Sequence, residues 1–170
     1  HTEAEGAENG IGIVKLMGRD SGFITATASL ANSVVDFCLI PETPFQLDGP
    51  DGINQAIQTR LAQNNHAVVV VAEGAGQDLF ANKETRIDAS GNILKDDIGE
   101  LLKTKLSTHF SDRNIPISIK YLDPSYHIRS VAANASDAVF CYLLAEYAVH
   151  AGMSGKTNLV IGYWNNFFTH

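Results

Sequence analysis

The chain has 170 residues, 45% of them hydrophobic and 18% charged, which is ample for one packed core and tight for two domains. Its 12 Lys and Arg against 19 Asp and Glu give a formal net charge of −7, which argues against a nucleic-acid-binding surface. No segment approaches the ~20 apolar residues of a membrane span, and no charged stretch precedes an apolar one as in a secretory signal, so we expect a soluble, cytoplasmic protein.

The first half of the chain alternates strand-like and helix-like segments. Apart from Lys15, residues 11–17 are apolar, and they show no helical period, which predicts a buried strand. The small residues of 23–32 predict a closely packed helix, and 37–40 predict a second, short strand. After a turn-rich loop, apolar residues at helical spacing predict a helix over 53–64. Four consecutive valines then predict a strand over 66–72.

The middle of the chain continues the alternation. Mixed polar residues over 80–96 predict a loop or flap. Residues 98–110 carry apolar side chains on one face, which predicts an amphipathic helix. Residues 116–122 alternate as a strand should and end at Asp123-Pro124, where we expect a turn.

The last part of the chain is predicted to bury a helix and add a strand. Asn134 is typical of a helix N-cap, and the helix expected over 135–150 is apolar on most sides, hence predicted to be buried. Residues 158–164 predict a final strand. Cys38 and Cys141 lie in apolar runs without CxxC spacing, so we expect free thiols in the core of a protein from a reducing compartment.

This alternation predicts an α/β fold, a Rossmann-like three-layer sandwich with a mostly parallel sheet, as one domain over 1–170. Such sheets bind ligands at the carboxyl ends of their strands. The sequence places these polar groups there: Met17-Gly18-Arg19, Pro41-Glu42, Glu73-Gly74 and Asp123 to Arg129.

The residue types at these strand ends favour a sugar phosphate. An arginine pair binds phosphate or carboxylate, and a carboxylate beside glycines binds hydroxyls or amines. Each feature alone also fits a plain role: Arg19 as a solvated charge at a turn, Glu73 as a strand-end acid facing water, and Arg129 in a surface ion pair. Their shared location favours a common site.

Other catalytic and cofactor patterns are missing. The six histidines show no HExxH or paired metal spacing, so no metal site is expected. No GxSxG elbow surrounds Ser21 or Ser125. The stretch HAGMSGKT over 150–157 lacks the first glycine of a phosphate-binding loop and follows a helix instead of a strand.

Four segments together carry a resemblance to a known family. VKLMGRDSGFI, CLIPETPF, VVVVAEGAGQDL and KYLDPSYHIRS, in this order and at these distances, resemble the phosphofructokinase family. The likeness runs from about Glu3 to the end and is greatest to the branch found in plants, trypanosomes and some bacteria. It implies a kinase that phosphorylates fructose 6-phosphate at its 1-hydroxyl in glycolysis.

The resemblance implies roles for individual residues. In the family, a Met-Gly-Arg turn contacts fructose 6-phosphate, and the glutamate that closes the valine strand binds sugar hydroxyls. A Tyr-x-x-Arg element clamps the 6-phosphate, and a basic residue nine positions before that arginine reaches the sugar phosphate of a neighbouring subunit. The implied substrate-binding residues are Met17, Gly18, Arg19, Glu73, Lys120, Tyr126, His127, Ile128 and Arg129.

The chain departs from the better-known bacterial branch at two positions. Gly10 stands where that branch has an arginine, and Tyr126 stands where it has a histidine. Both differences fit the plant-like branch, and they leave Lys120 and Arg129 to neutralise the phosphate.

The family's first half has no counterpart here. That half holds the glycine-rich nucleotide or pyrophosphate loop and a Thr-Ile-Asp segment with the catalytic base. We therefore expect a substrate-side fragment with no catalytic residue of its own, inactive alone. The resemblance implies Mg²⁺ and ATP or pyrophosphate for the parent enzyme, none bound by this chain, and a homo-oligomeric parent. Two alternatives stay open: a non-catalytic sugar-phosphate-binding regulatory module, and an α/β scaffold whose arginines bind nothing specific.

Overall fold

A computed structural model describes residues 1–80, 87, 89, 91 and 93–170, and much of the loop predicted over 80–96 lies outside these residues. The chain forms two compact units, His1–Ile128 and Arg129–His170.

The first unit is built on a parallel sheet of four strands in the order β2-β3-β1-β4. The observed sheet and its helices confirm the predicted α/β class. The elements, the last of which crosses into the second unit, are α1 (Thr2–Glu5), β1 (Gly10–Leu16), α2 (Phe23–Leu30), β2 (Phe37–Leu39), α3 (Ile53–Asn64), β3 (His66–Ala72), a 3₁₀ turn (Gln77–Leu79), α4 (Ile98–Ser111), β4 (Ser118–Leu122) and α5 (Ser125–Ser130).

Helices cover both faces of this sheet. Alternate residues of a strand face opposite sides, and Ile11 and Ile13 of β1 join the buried cluster that α3 and α4 form. On the other face, Gly12 lies against Ala4 of α1. The buried side chains that α3 and α4 supply to this cluster are Ile53, Ile57, Leu61, Ile98, Leu102, Leu106 and Phe110. Fully burying each such side chain contributes about 1.5–3 kcal/mol, which fixes the strands from which the site is built.

The second unit contains α6 (Ala135–Met153), β5 (Gly162–Trp164) and β6 (Phe167–Thr169). The predicted N-cap of α6 is confirmed, since the Asn134 side chain accepts a hydrogen bond from the Asp137 amide at 2.8 Å. Among the described residues, no helix is both long enough and apolar enough to span a bilayer.

The predicted burial of α6 is wrong. Ala151 is its one buried residue, whereas Val139, Tyr142 and Met153 are 61%, 69% and 84% exposed. A helix that is apolar on most sides is buried only if other elements pack against most of its sides. In the second unit, the other secondary structure besides this 19-residue helix is a short hairpin. Cys141 on α6 and Cys38 on β2 are free thiols as predicted, but both are exposed and not in the core.

The predicted last strand is also corrected. Only residues 162–164 of the expected 158–164 form a strand, and this strand pairs with β6 in an antiparallel hairpin outside the main sheet. Asn165 and Asn166 have φ values of +48° and +67°, as a tight two-residue hairpin turn requires. The aromatic ring of Phe168 stacks on Tyr147 of α6 at 4.6 Å between centroids.

Candidate substrate-binding site

Glycines join the turns that follow β1 and β3. The Gly74 amide donates to the Gly18 carbonyl at 2.9 Å, and the Glu73 amide donates to the Leu16 carbonyl at 2.9 Å. A Cβ added at Gly74 would lie 1.8 Å from the Arg19 carbonyl oxygen, so only glycine allows this approach. Gly18 has φ of +143°, which other residues rarely adopt. The two turns therefore form one rigid junction at the carboxyl edge of the sheet.

This junction holds Arg19 and Glu73 next to each other. The Arg19 Nε lies 3.6 Å from the Glu73 Oε1, and the side chains are 42% and 25% exposed. The guanidinium presents N–H donors to phosphate or hydroxyl oxygens, and the carboxylate accepts hydrogen bonds from hydroxyls. Because the pair is accessible, both groups can exchange part of their mutual interaction for a ligand.

A polar cleft of about 200 Å³ opens beside this pair. Ligand pockets usually measure about 300–1,000 Å³, so the cleft has the size of part of a site. Gln77 fixes one wall, because its side-chain amide donates to the carbonyls of Glu73 (2.9 Å) and Asp96 (3.0 Å). The described residues that line it are Lys15, Arg19, Glu73, Leu94, Lys95, Asp96 and Asp97.

A charged cluster adjoins the cleft, which two of its members, Lys15 and Asp97, line. Lys15 Nζ is 3.0 Å from Asp97 Oδ2 and 3.0 Å from Asp123 Oδ2, while the Tyr121 hydroxyl donates to Asp97 Oδ1 at 2.8 Å. The Lys15 side chain is only 13% exposed. An ammonium so far removed from water needs partners, and two carboxylates supply them.

The cluster shifts the pKa values of its members. Burial opposes the charge of Lys15, but the hydrogen bonds with Asp97, Tyr121 and Asp123 outweigh it and raise the pKa of Lys15. Burial also opposes ionisation of Asp97, yet Lys15 and Tyr121 lower its pKa. The Asp123 pKa is lowered against burial by Ser125 and Lys15. Burial and Asp97 raise the pKa of Tyr121 to about 12. Lysine and both carboxylates are therefore charged at neutral pH.

The other residues implied by the resemblance lie outside the described lining of this cleft. Lys120 is exposed on β4 in register with Gly12, on the opposite face from Tyr121. Tyr126, His127 and Ile128 follow on α5 and are exposed. Arg129, also exposed, is the first residue of the second unit. Met17 is half-buried between β1 and the Arg19 turn. The substrate roles of these residues stay predictions.

Sequence reasoning missed the cluster around Lys15. A lone lysine in an apolar strand was a usable signal, because a buried charge must be paired. Asp97, directly before a predicted helix, was a second signal, since aspartate is a preferred N-cap. The expected turn at Asp123 is confirmed, because its Oδ1 accepts from the Ser125 amide at 3.0 Å.

Glu42 also has a structural partner that the sequence did not reveal. Its two carboxylate oxygens accept from the Gly22 amide at 2.9 and 3.0 Å, next to the start of α2, and this bond lowers the pKa of Glu42. Among the described residues, no cluster of three or more His, Cys, Asp or Glu side chains is arranged to hold a metal ion.

A parallel sheet covered by helices, with a polar cleft at the carboxyl ends of neighbouring strands, is typical of the doubly wound α/β class. The phosphofructokinase family model matches residues 1–152, and the chain belongs to this family.

Relatives with similar sequences are named as 6-phosphofructokinases. The ATP-dependent 6-phosphofructokinase of Borreliella burgdorferi is 48% identical over 100% of this chain and 39% of its own length. The ATP-dependent 6-phosphofructokinase 4, chloroplastic, of Arabidopsis thaliana is 51% identical over 98% of this chain and 32% of its own length. The chain thus spans 32–39% of the length of these relatives.

The fold is shared with solved structures at lower identity. A pyrophosphate-dependent phosphofructokinase from Marinobacter aquaeolei superposes with a TM-score of 0.60 at 20% identity, over 94% of this chain and 37% of that one. The phosphofructokinase of Pichia pastoris in the T-state gives a TM-score of 0.60 at 18% identity, over 94% of this chain and 15% of that one. At these identities the likeness shows the fold alone.

Proposed function

We propose that the chain is the fructose 6-phosphate-binding part of an ATP-dependent 6-phosphofructokinase. Relatives that carry this name match it along nearly its whole length at 48–51% identity. The single observation that carries the proposal is the Arg19–Glu73 pair, held at 3.6 Å on two turns joined through backbone hydrogen bonds. A cation and a carboxylate side by side suit a ligand with both phosphate and hydroxyl groups.

The proposed contribution of this chain to catalysis is binding and orientation. Glu73 accepts hydrogen bonds from sugar hydroxyls, Arg19 donates to sugar or phosphate oxygens, and Arg129 neutralises the 6-phosphate. Phosphoryl transfer depends mainly on such positioning and on charge stabilisation. The substrate then presents its 1-hydroxyl to a phosphoryl donor.

The proposal assigns the donor site and the catalytic base to parts of the parent enzyme outside this chain. Mg²⁺ would there neutralise the donor phosphates. The donor is taken as ATP, because relatives near half identity are named ATP-dependent. Lys120, exposed on a strand at the edge of the sheet, is the residue proposed to reach a neighbouring subunit's sugar phosphate. Residues 1–170 act in this proposal as one substrate-binding domain in the cytoplasm.

Calorimetric titration with fructose 6-phosphate tests the proposal. The chain and an Arg113→Ala control, which removes an exposed arginine at the far end of α4, are expected to show saturable heat. Arg19→Ala and Arg129→Ala are expected to lose it. An absence of heat and of a thermal shift with the unmodified chain, or equal binding by all four proteins, would contradict the proposal.

A coupled kinase assay completes this test. The purified chain is expected to produce no fructose 1,6-bisphosphate from ATP and fructose 6-phosphate. Phosphorylation that survives removal of contaminating kinase would show that a donor site is present after all. Binding as tight as that of a dedicated receptor, without turnover, would instead favour a regulatory module.

A further inference from the structure

Lys15 links two carboxylates that each begin a helix. Asp97 Oδ1 accepts from the amides of Gly99 at 3.0 Å and Glu100 at 3.3 Å, which caps α4. Asp123 Oδ1 accepts from the amide and the hydroxyl of Ser125, the first residue of α5. The lysine contacts the remaining Oδ2 oxygen of each carboxylate at 3.0 Å. Each aspartate therefore joins a helix start to the same ammonium.

The position of Lys15 makes this link rigid. It lies on β1, which pairs with β3 on one side and β4 on the other, so its backbone is fixed by the centre of the sheet. Its carbon chain is largely buried, and its ammonium lies 5.9 Å from the Tyr121 ring centroid. The Tyr121 hydroxyl holds Asp97 from the other side. Few rotamers of Lys15 satisfy these contacts together.

Helix α5 depends on this link more than α4 does. The long α4 is held by Leu102, Leu106 and Phe110 in the core, whereas α5 has only six residues, none of them buried. Its start is tied to the sheet through β4 and through the Asp123–Lys15 contact. Without the ammonium, Asp97 and Asp123 would become two neighbouring carboxylates with no cation between them, and they would repel.

We propose that Lys15 is a positioning residue for substrate binding, which sets the place of Tyr126, His127 and Ile128 by bridging Asp97 and Asp123. This inference rests on the proposed function, because those three residues matter only if α5 helps to bind the sugar phosphate. Lys15 acts through Asp123, and the bridge makes the orientation of α5 depend on a residue of the central strand.

The competing explanation is that Lys15 contacts the ligand directly, since it also lines the cleft. Asp123→Asn separates the two. This variant keeps Lys15 and keeps an oxygen to accept from the Ser125 amide, but it removes the charge that holds the bridge. A positioning role predicts weaker binding in Asp123→Asn, whereas direct contact predicts binding that is unchanged or stronger.

The experiment titrates fructose 6-phosphate into five proteins: the unmodified chain, Lys15→Met, Lys15→Arg, Asp123→Asn and Lys103→Met. Lys103 is a matched control, because its side chain, 44% exposed, pairs with Glu100 on α4 and is not among the described residues that line the cleft. Lys15→Met and Asp123→Asn are expected to raise Kd about tenfold, which is the lower end of the loss seen when a residue that orients a metal ligand is removed. Lys15→Arg recovers part of the affinity, and Lys103→Met changes nothing.

Hydrogen exchange without ligand provides the second measurement. In Lys15→Met and Asp123→Asn, the amides of 125–128 are expected to exchange faster while those of β3 keep their protection. If the unmodified chain binds no fructose 6-phosphate, the proposed function fails, and exchange at 125–128 alone decides whether Lys15 positions α5. Unchanged exchange there, or normal affinity in Asp123→Asn, would overturn the inference. If Lys15→Met also speeds exchange of the β3 amides, this variant has disturbed the sheet itself. The Asp123→Asn result then decides whether the Lys15–Asp123 contact positions α5.

Discussion

The two units use hydrophobic residues in opposite ways. In the first unit, Ile11, Val71 and Leu106 are fully buried between a four-stranded sheet and its helices. In the second, α6 is more apolar than α3 and α4, yet Ala151 is its one buried residue. Burial is therefore decided by the layers available to cover a segment, and hydrophobicity alone does not predict it.

The same difference separates the candidate site residues. Arg19 and Glu73 lie at the ends of strands in the packed unit, and backbone hydrogen bonds fix their turns. Arg129 begins the unit with little buried surface. Residues on a rigid scaffold hold a ligand geometry without help, whereas residues in a thinly packed unit need support.

The largest expected effect is on the core of the first unit. Phe110→Ala removes a side chain that is 1% exposed, and we expect it to lower the free energy of unfolding by about 3–5 kcal/mol. The matched variant Phe167→Ala removes a phenylalanine that is 72% exposed in the second unit, and a change within about 0.5 kcal/mol is expected. Urea denaturation followed by circular dichroism measures both. Similar losses of unfolding free energy for the two variants would contradict the difference in burial between the two units.

Two glycine substitutions, one in each unit, are expected to change the free energy of unfolding in opposite directions. Gly74→Ala drives a Cβ into the Arg19 carbonyl, so we expect a loss of roughly 1–3 kcal/mol in unfolding free energy. Gly152→Ala adds a methyl group on α6 with no atom within 4 Å, and a gain of about 0.5–1 kcal/mol is expected from helix propensity. The same denaturation experiment applies. A Gly74→Ala variant that loses no stability would argue against the tight junction between the β1 and β3 turns.

The N-cap of α6 tests the second unit on its own. Asn134→Ala removes the acceptor for the Asp137 amide and is expected to cost about 1 kcal/mol of helix stability. Hydrogen exchange of the first-turn amides of α6 measures this loss. Ser136→Ala, one residue inside the helix, serves as the control and should leave their protection unchanged. A null result for Asn134→Ala would show that the cap does not hold the helix start.

The pH dependence of unfolding gives the smallest effect. The lowered pKa values of Asp97 and Asp123 give stability that is present above about pH 4 and is lost as pH falls through their folded pKa values. The raised pKa of Lys15 gives stability that is present below about pH 10 and is lost as pH rises through its folded pKa. The change on the acidic side is expected to stay below about 1 kcal/mol, because the side chains of Asp97 and Asp123 are 42% and 37% exposed and water screens them.

Urea denaturation across the pH range checks these signs. Lys15→Met is expected to reduce the loss on the acidic side, because the carboxylates then have no cation to favour their charged forms. An acid dependence as steep in Lys15→Met as in the unmodified chain would show that other carboxylates cause it.

Elements with strong local signals were predictable to within a residue or two. The helix over 53–64 and the strand over 66–72 are confirmed at their predicted bounds, because helical spacing and β-branched residues favour one conformation each. The hairpin around Asn165 was missed, although two asparagines between aromatic residues are a turn signal that the sequence displays. The pattern over 158–164 favoured a single final strand, so the turn after it was not predicted.

The candidate site was predictable only in part. Arg19 and Glu73 could be placed at one edge of the sheet, because the carboxyl ends of parallel strands meet there. The Lys15 cluster could not be assembled in the same way, since its partners at 97, 121 and 123 come from distant segments that only tertiary packing brings together. The prediction that α6 is buried failed for a related reason, because burial depends on which elements pack against the helix.

The strand order has a consequence for synthesis on the ribosome. The central strand β1 precedes all its partners, and β3 begins about 50 residues after β1 ends. At about 5–20 residues per second, translation leaves β1 without a hydrogen-bonded neighbour for roughly 2.5–10 s. During that interval an apolar strand is open to wrong pairing and to chaperones. Slow codons between residues 16 and 66 would lengthen the interval, and the yield of folded chain should fall with them.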